Sequence, residues 1–155
     1  MAYTIENVDW ARDKHRLKAI REDVFVLEWR VPQDSEFDER DASAFHVLLL
    51  EDGEEANHPI ATGRLTQCGE IGRIAVKRGY RNMSVYRALF AALIEVANRH
   101  NVTILKVSCS LDSVSYHQGL GFKPEGQVFM DGGVARQRMQ CPVERFPFPD
   151  VSQMH

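Results

Sequence analysis

Trp10, Leu17, Ile20, Val24 and Leu27 recur at helical spacing with charged residues between them, so the pattern predicts an amphipathic helix over residues 9–29. Val31-Pro32 should stop it, because the residue before a proline is pushed out of the helical region. A polar, acidic stretch runs from Gln33 to Asp41. Phe45–Leu50 then reads as a strand, Glu51–His58 as a charged turn pivoting on Gly53, and Ile60–Thr66 as a strand pairing back. Gly69 marks a further turn before the apolar run Ile71–Val76. Three strands in succession predict an antiparallel meander.

The second half alternates helix and strand. Val85, Leu89, Leu93 and Val96 share one face of a helix from about Ser84 to Arg99, with Ser84 as N-cap and Asn101 as stop. Thr103–Ser108 is rich in β-branched residues. Following a strand and a helix, it is most simply parallel to Ile71–Val76. Asp112 or Ser113 should cap a short helix ending at Gly119 or Gly121. Gln127–Met130 and Val134–Gln140 flank Asp131-Gly132-Gly133, a hairpin turn, and Pro142, Pro147 and Pro149 mark an irregular tail. The order is α, β β β, α β α β β: a mixed α/β (α+β) layout centred on one βαβ unit, in a single domain over residues 1–155.

A net charge of −3 argues against a general nucleic-acid binder, and no apolar run approaches the roughly 20 residues of a membrane span. The polar N-terminus lacks a signal-peptide core. Cys68, Cys109 and Cys141 are odd in number and far apart, which fits reduced thiols in a cytoplasmic protein. The six histidines form no HxxxH or HxH pair, so no metal site is expected. One stretch departs from the acidic background. Ile71–Ile94 holds Arg73, Lys77, Arg78, Arg81 and Arg87 and no acid. Strand, basic turn and helix N-terminus form a layout that binds phosphates through free N–H groups and the helix dipole. The same stretch also reads as a solvated basic loop between two core elements.

The strand, basic turn and helix, followed by a strand, a short helix and Gly121-Phe122, resemble the GNAT acyl-CoA N-acyltransferases over nearly the whole chain. In the N-terminal half, Arg21, Phe25, Val31-Pro32, Glu36-x-Asp38-x-x-Asp41, Ala44-x-His46 and Gly63-Arg64-Leu65 resemble a subgroup of small bacterial acetyltransferases. Arg21, Phe25, Glu36, Asp38, Asp41 and Arg64 also resemble the acyl-homoserine-lactone synthases, which share the fold and are usually longer. The resemblance implies a mixed central sheet with antiparallel N-terminal strands and one parallel pair splayed at its centre.

In that family an Arg/Gln-x-x-Gly-x-Gly/Ala loop wraps the pyrophosphate of coenzyme A. The matching residues are Arg81, Asn82, Met83, Ser84, Val85 and Tyr86, with Arg87 beside them; Ser84 and Tyr86 stand where small residues, usually glycines, are expected. The backbone of Ile74, Ala75 and Val76 would hold the pantetheine and the thioester oxygen. The family's tyrosine, which protonates the departing thiolate, falls on His117, with Tyr116 next to it; a histidine can serve as general acid near neutral pH. Glu36, Asp38, Asp41, Arg64 and Arg73 would edge the acceptor site, and Arg64 in a strand calls for pairing with Asp38 or Asp41. Glu70 could act as base through water, Asp131 could close the site from the hairpin, and His46 reads more readily as a satisfied core histidine. The implied activity is acetyl-CoA-dependent N-acetylation of a small-molecule or peptide amine by direct transfer in a ternary complex, with a homodimer allowed. The alternatives are a degenerate, non-catalytic ligand-binding or interaction module, and an acyl-homoserine-lactone-synthase-like acyltransferase.

Overall fold

Two antiparallel sheets of four and three strands meet along one edge. The computed structural model describes residues 3–52 and 58–154, apart from the side chains of residues 34 and 35. The first sheet has the order β1 (Tyr3–Val8), β2 (Phe45–Glu51), β3 (His58–Leu65), β4 (Ile71–Val76); the second has the order β5 (Ile104–Ser110), β7 (Val134–Pro142), β6 (Lys123–Asp131). Gly53, the expected pivot between β2 and β3, lies outside the described residues. The β2–β3–β4 meander and the β6–β7 hairpin around Asp131-Gly132-Gly133 agree with the hydrophobic pattern. β1 does not: Thr4, Glu6 and Asn7 dilute its alternation, and as an edge strand it needs only β2 as a partner, from Tyr3 opposite Glu51 to Val8 opposite His46.

The helix expected over residues 9–29 is two pieces. α1 (Trp10–Arg21) starts at Asp9, whose carboxylate accepts the Arg12 N–H, and passes directly into a wider π-helical segment, Glu22–Glu28. There the Trp29 N–H reaches back five residues to the Val24 carbonyl. The extra residue per turn rotates the apolar stripe. Leu17 and Ile20 pack with Leu48 and Leu50, Val24 and Phe25 pack instead with Ala75, and Leu27 turns out to solvent. A short helical turn, α2 (Gln33–Glu36), and a 3-10 turn, Glu39–Ala42, carry the acidic stretch back over the sheet.

α3 (Met83–Arg99) buries Val85, Leu89, Leu93 and Val96 in the main core between the sheets. Its cap is Asn82, not Ser84: the extended Asn82 backbone lets its side chain accept the Val85 N–H at 3.0 Å, which leaves Ser84 inside the first turn. Asn101, at a φ of 60°, lies just past the helix end, as expected. α4 (Val114–Leu120) ends at Gly121 with a φ of 106°, but neither Asp112 nor Ser113 caps it through its side chain; a 3-10 turn at Leu111–Ser113 leads in instead.

Two features position the site. Pairing of β3 with β4 shifts between Thr62 and Arg64, so β4 carries one extra residue, and Arg73 takes a φ of 53° there. Such a bulge re-aims the side chains around it. β4 and β5 are joined at their starts by one parallel bridge, Glu70 to Lys106, where the Lys106 N–H donates to the Gly69 carbonyl at 2.8 Å. Beyond it they belong to different sheets.

Candidate active site

The bulge turns Arg73 toward the acidic stretch, and a buried ion network forms there. Arg21, Arg64 and Arg73 face Glu36, Asp38 and Asp41, three charges of each sign. Arg21 Nε donates to Glu36 Oε1 at 2.8 Å and Nη1 to Asp41 Oδ1 at 2.7 Å, while Nη2 reaches the Glu36 carbonyl at 2.8 Å. Its guanidinium lies over the Phe37 and Trp10 rings. Arg64 Nη1 bonds both Asp38 Oδ1 (2.9 Å) and Asp41 Oδ1 (3.0 Å), so both expected pairings are made by one nitrogen. Arg73 Nε donates to the Glu36 carbonyl at 3.0 Å and Nη2 to Asp38 Oδ2 at 3.3 Å. His46 is buried in the core as expected but only half satisfied: its Nε2–H donates to the Asp41 carbonyl at 2.9 Å, while Nδ1 has no hydrogen-bond partner among the described residues.

The three acids titrate differently because their surroundings differ. Burial raises Glu36 above the ordinary carboxylate range, against the pull of Arg21 and Arg73. Burial also pushes Asp38 and Asp41 upward. For Asp38 the Arg64 charge and hydrogen bond reverse the effect, and for Asp41 those of Arg21 do, so both end below the usual range. Burial lowers His46 and keeps it neutral.

A cavity of about 350 Å³ opens between this network and the β6–β7 hairpin. Asp38, Arg64 and Arg73 form one wall, Phe129, Met130 and Asp131 another, and Glu70 with Ser108 the floor. Of the expected acceptor residues, Asp38, Arg64 and Arg73 line the cavity; Glu36 and Asp41 stand behind them as fully buried partners. Asp131 reaches the rim from the hairpin. Glu70 sits at the joint of the two sheets. It accepts from Ser108 Oγ at 3.0 Å and from Arg138 Nε at 3.1 Å, with Arg40 at 3.4 Å. Ser108, Arg40 and Arg138 escaped sequence reasoning, because nothing local marks residues that only tertiary pairing brings to Glu70.

The basic turn is less basic than its sequence. Arg81 Nη1 and Nη2 fork onto Glu28 Oε2 and Oε1 at 2.7 and 2.6 Å, and its Nε donates to the Val76 carbonyl at 2.9 Å. Met83 and Ser84, both exposed, carry first-turn N–H groups with no intrahelical acceptor. Tyr86 and Arg87 line a groove of about 330 Å³ with Tyr116 and residues 148–151. Ile74, Ala75 and Val76 lie on β4 where it parts from β5.

His117 lies on α4. It is fully buried between Tyr116 and Phe122, and its Nδ1–H donates to the Ser113 carbonyl at 2.9 Å. Burial lowers its pKa, so the ring is neutral and Nε2 offers a lone pair rather than the proton a general acid needs. Tyr116, half-exposed, has a hydroxyl oxygen that accepts the Asp150 N–H at 2.9 Å.

β4 and β5 part beyond one parallel bridge, α3 starts after β4, and a polar cavity lies at the joint. The sequence matches the Acetyltransferase (GNAT) family over residues 8–122, and the chain belongs to that family. It is an acyltransferase by class. The Bacillus subtilis protein YyaT, itself uncharacterised, is 26% identical over 147 residues, covering 91% of this chain and 97% of that one. An acyl-CoA N-acyltransferase from Pseudomonas aeruginosa superposes with a TM-score of 0.70 at 19% identity, over 90% of this chain and 99% of that one. BjaI, a CoA-dependent acyl-homoserine lactone synthase solved with SAM and isopentyl-CoA, superposes with a TM-score of 0.67 at 15% identity, over 92% and 84%. At these identities the two structures share the fold. Among the described residues no helix is long and apolar enough to cross a membrane, and no group of three or more His, Cys, Asp or Glu could hold a metal ion.

Proposed function

We propose that the chain is an acetyl-CoA-dependent N-acetyltransferase that acylates the amine of a small molecule or peptide by direct attack within a ternary complex, as one folded domain in the cytoplasm. The observation that carries this reading is the parting of β4 and β5 beyond the Glu70–Lys106 bridge, so that β4 leads unpaired with β5 into the Lys77–Asn82 turn and the start of α3. The residues present suit the donor: the first-turn N–H groups of Met83 and Ser84 have no intrahelical acceptor and would be available to a diphosphate, and Tyr86 lines the neighbouring groove with Tyr116 and residues 148–151. Bound acetyl-CoA supplies an activated carbonyl. Residues Ile74–Val76 would orient it, and Glu70, from the cavity floor, would take the amine proton directly or through one water. Tyr116 suits the thiolate proton better than His117, since it retains a hydroxyl while His117 is neutral and enclosed.

Calorimetry with CoA and dephospho-CoA tests the donor site, and thiol release from acetyl-CoA across a panel of amines tests turnover. Binding with amine-dependent thiol release is expected. No heat and no thermal shift at millimolar CoA would overturn the reading. Binding without release from any amine would favour a non-catalytic module.

A further inference from the structure

Between Ile71 and Ile94 the chain has no acidic residue, yet the fold brings one in from about fifty positions upstream. Glu28, the last residue of the π-helical segment, takes both terminal nitrogens of Arg81 at 2.6 and 2.7 Å, and Arg78 Nη2 stands 3.8 Å from the same carboxylate. A carboxylate on a guanidinium fork presents two oxygens in the geometry that a phosphate presents. The pair is not sealed in: the Arg81 and Glu28 side chains keep 28% and 20% of their surface, and a shallow groove lined by Asp23, Leu27, Glu28 and Arg78 opens beside them. Arg81 has a second anchor in the Val76 carbonyl, so its stem stays in place when the fork is released.

We propose that Glu28 is an internal counter-anion: it holds the Arg81 fork in the ligand-free protein and is exchanged for the diphosphate of the acyl donor. The proposal rests on the acyl-CoA reading for the identity of that ligand, while the exchange itself applies to any diphosphate at the start of α3. Its consequence is that Glu28 lowers donor affinity. The exchange also has a reporter, because Trp29 Nε1 donates to Glu28 Oε2 at 3.3 Å and its ring stacks edge-on against Phe25 at 5.1 Å. Releasing Glu28 from Arg81 changes the surroundings of that indole.

The test measures binding of CoA and, separately, of inorganic pyrophosphate by calorimetry. The proteins are the wild type, Glu28→Gln, Glu28→Asp and Glu28→Gln/Arg81→Ala; Trp29 emission is followed in a Trp10→Phe background. Glu28→Gln should bind both probes tighter by at least about fivefold, because a competing charge-assisted contact has been removed. Glu28→Asp should fall between it and the wild type, and the double variant should lose the gain. Trp29 emission should shift on adding either probe to the wild type and stay unchanged in Glu28→Gln. Equal or weaker CoA binding by Glu28→Gln would overturn the proposal and make Glu28 a residue that orients Arg81. A response to pyrophosphate with none to CoA would keep the exchange and overturn the acyl-CoA reading. Silence toward both probes in every variant would overturn both.

Discussion

Replacing Arg21 by methionine tests the buried network where it is most completely enclosed. Methionine keeps the apolar stem against Trp10 and Phe37 but removes the guanidinium, which is 1% exposed and donates to Glu36 and Asp41. Glu36 and Asp41 are then left enclosed with fewer partners. Removing one member of a buried ion pair costs about 3–5 kcal/mol, because an uncompensated charge stays behind. In a chain of this length, 1 kcal/mol shifts Tm by about 2–4 °C, so Arg21→Met should lower it by roughly 6–20 °C. The pH dependence supplies a second check. In the wild type Asp41 lies below the ordinary range, so its contribution is present above the unfolded pKa and is lost as pH falls through the folded one. Without Arg21, Asp41 rises and joins Glu36, which burial already holds high. A raised acid contributes stability at low pH that is lost as pH climbs through its folded pKa. The deficit of Arg21→Met should therefore shrink between pH 7 and pH 5, as followed by urea unfolding at both values. A loss under about 1 kcal/mol at pH 7, or a deficit that grows on acidification, would refute the reasoning.

Gly69→Ala should melt well below Gly121→Ala: both sit at positive φ, but a Cβ at Gly69 would fall 2.4 Å from the Ile104 carbonyl oxygen, whereas nothing lies within 4 Å of one at Gly121. The difference should reach about 2 kcal/mol or more, and equal Tm values would show that the joint between the sheets yields freely. Of the three thiols, only the exposed Cys68 should react rapidly with a disulfide reagent in the native state; Cys109 and Cys141 are buried, and burial pushes Cys141 up to about 11. All three should react in denaturant. Ser108→Ala removes one of the hydrogen bonds holding Glu70 and should lower kcat roughly tenfold with CoA affinity unchanged; a matching fall in CoA affinity would place Ser108 in the donor site instead.

The elements set by one strong period were legible: the β2–β3–β4 meander, the α3 stripe and the β6–β7 hairpin all follow the apolar spacing. The pairing of Arg64 with Asp38 and Asp41 was legible too, because an arginine in a strand has to find an anion when buried. What escaped has physical causes. β1 is an edge strand with polar residues in its middle, so its pattern is weak. The π-helical segment breaks the 3.6 period that the Trp10–Leu27 spacing assumes, so Leu27 turns outward. The enclosure of His117 by Tyr116 and Phe122 is a tertiary fact that no local pattern marks. Glu28 beside Arg81, and Ser108 and Arg138 beside Glu70, are contacts across 30 to 70 residues that no local pattern marks.

The stitch between the sheets at Gly69–Glu70 and Lys106 works as a fulcrum. β4 runs six residues past it, from Ile71 to Val76, which is a lever of about 20 Å at strand rise. A rotation of about 5° between the sheets would move the Val76 end by roughly 1.7 Å, while atoms within about 4 Å of the fulcrum would move only about 0.3 Å. Glu70 sits at that quiet point and is bonded to both sides of it, through Ser108 and Arg138 on one sheet and its own strand on the other. On the proposed function, widening of these jaws for a bulky donor at their tips would leave the carboxylate at their root in place.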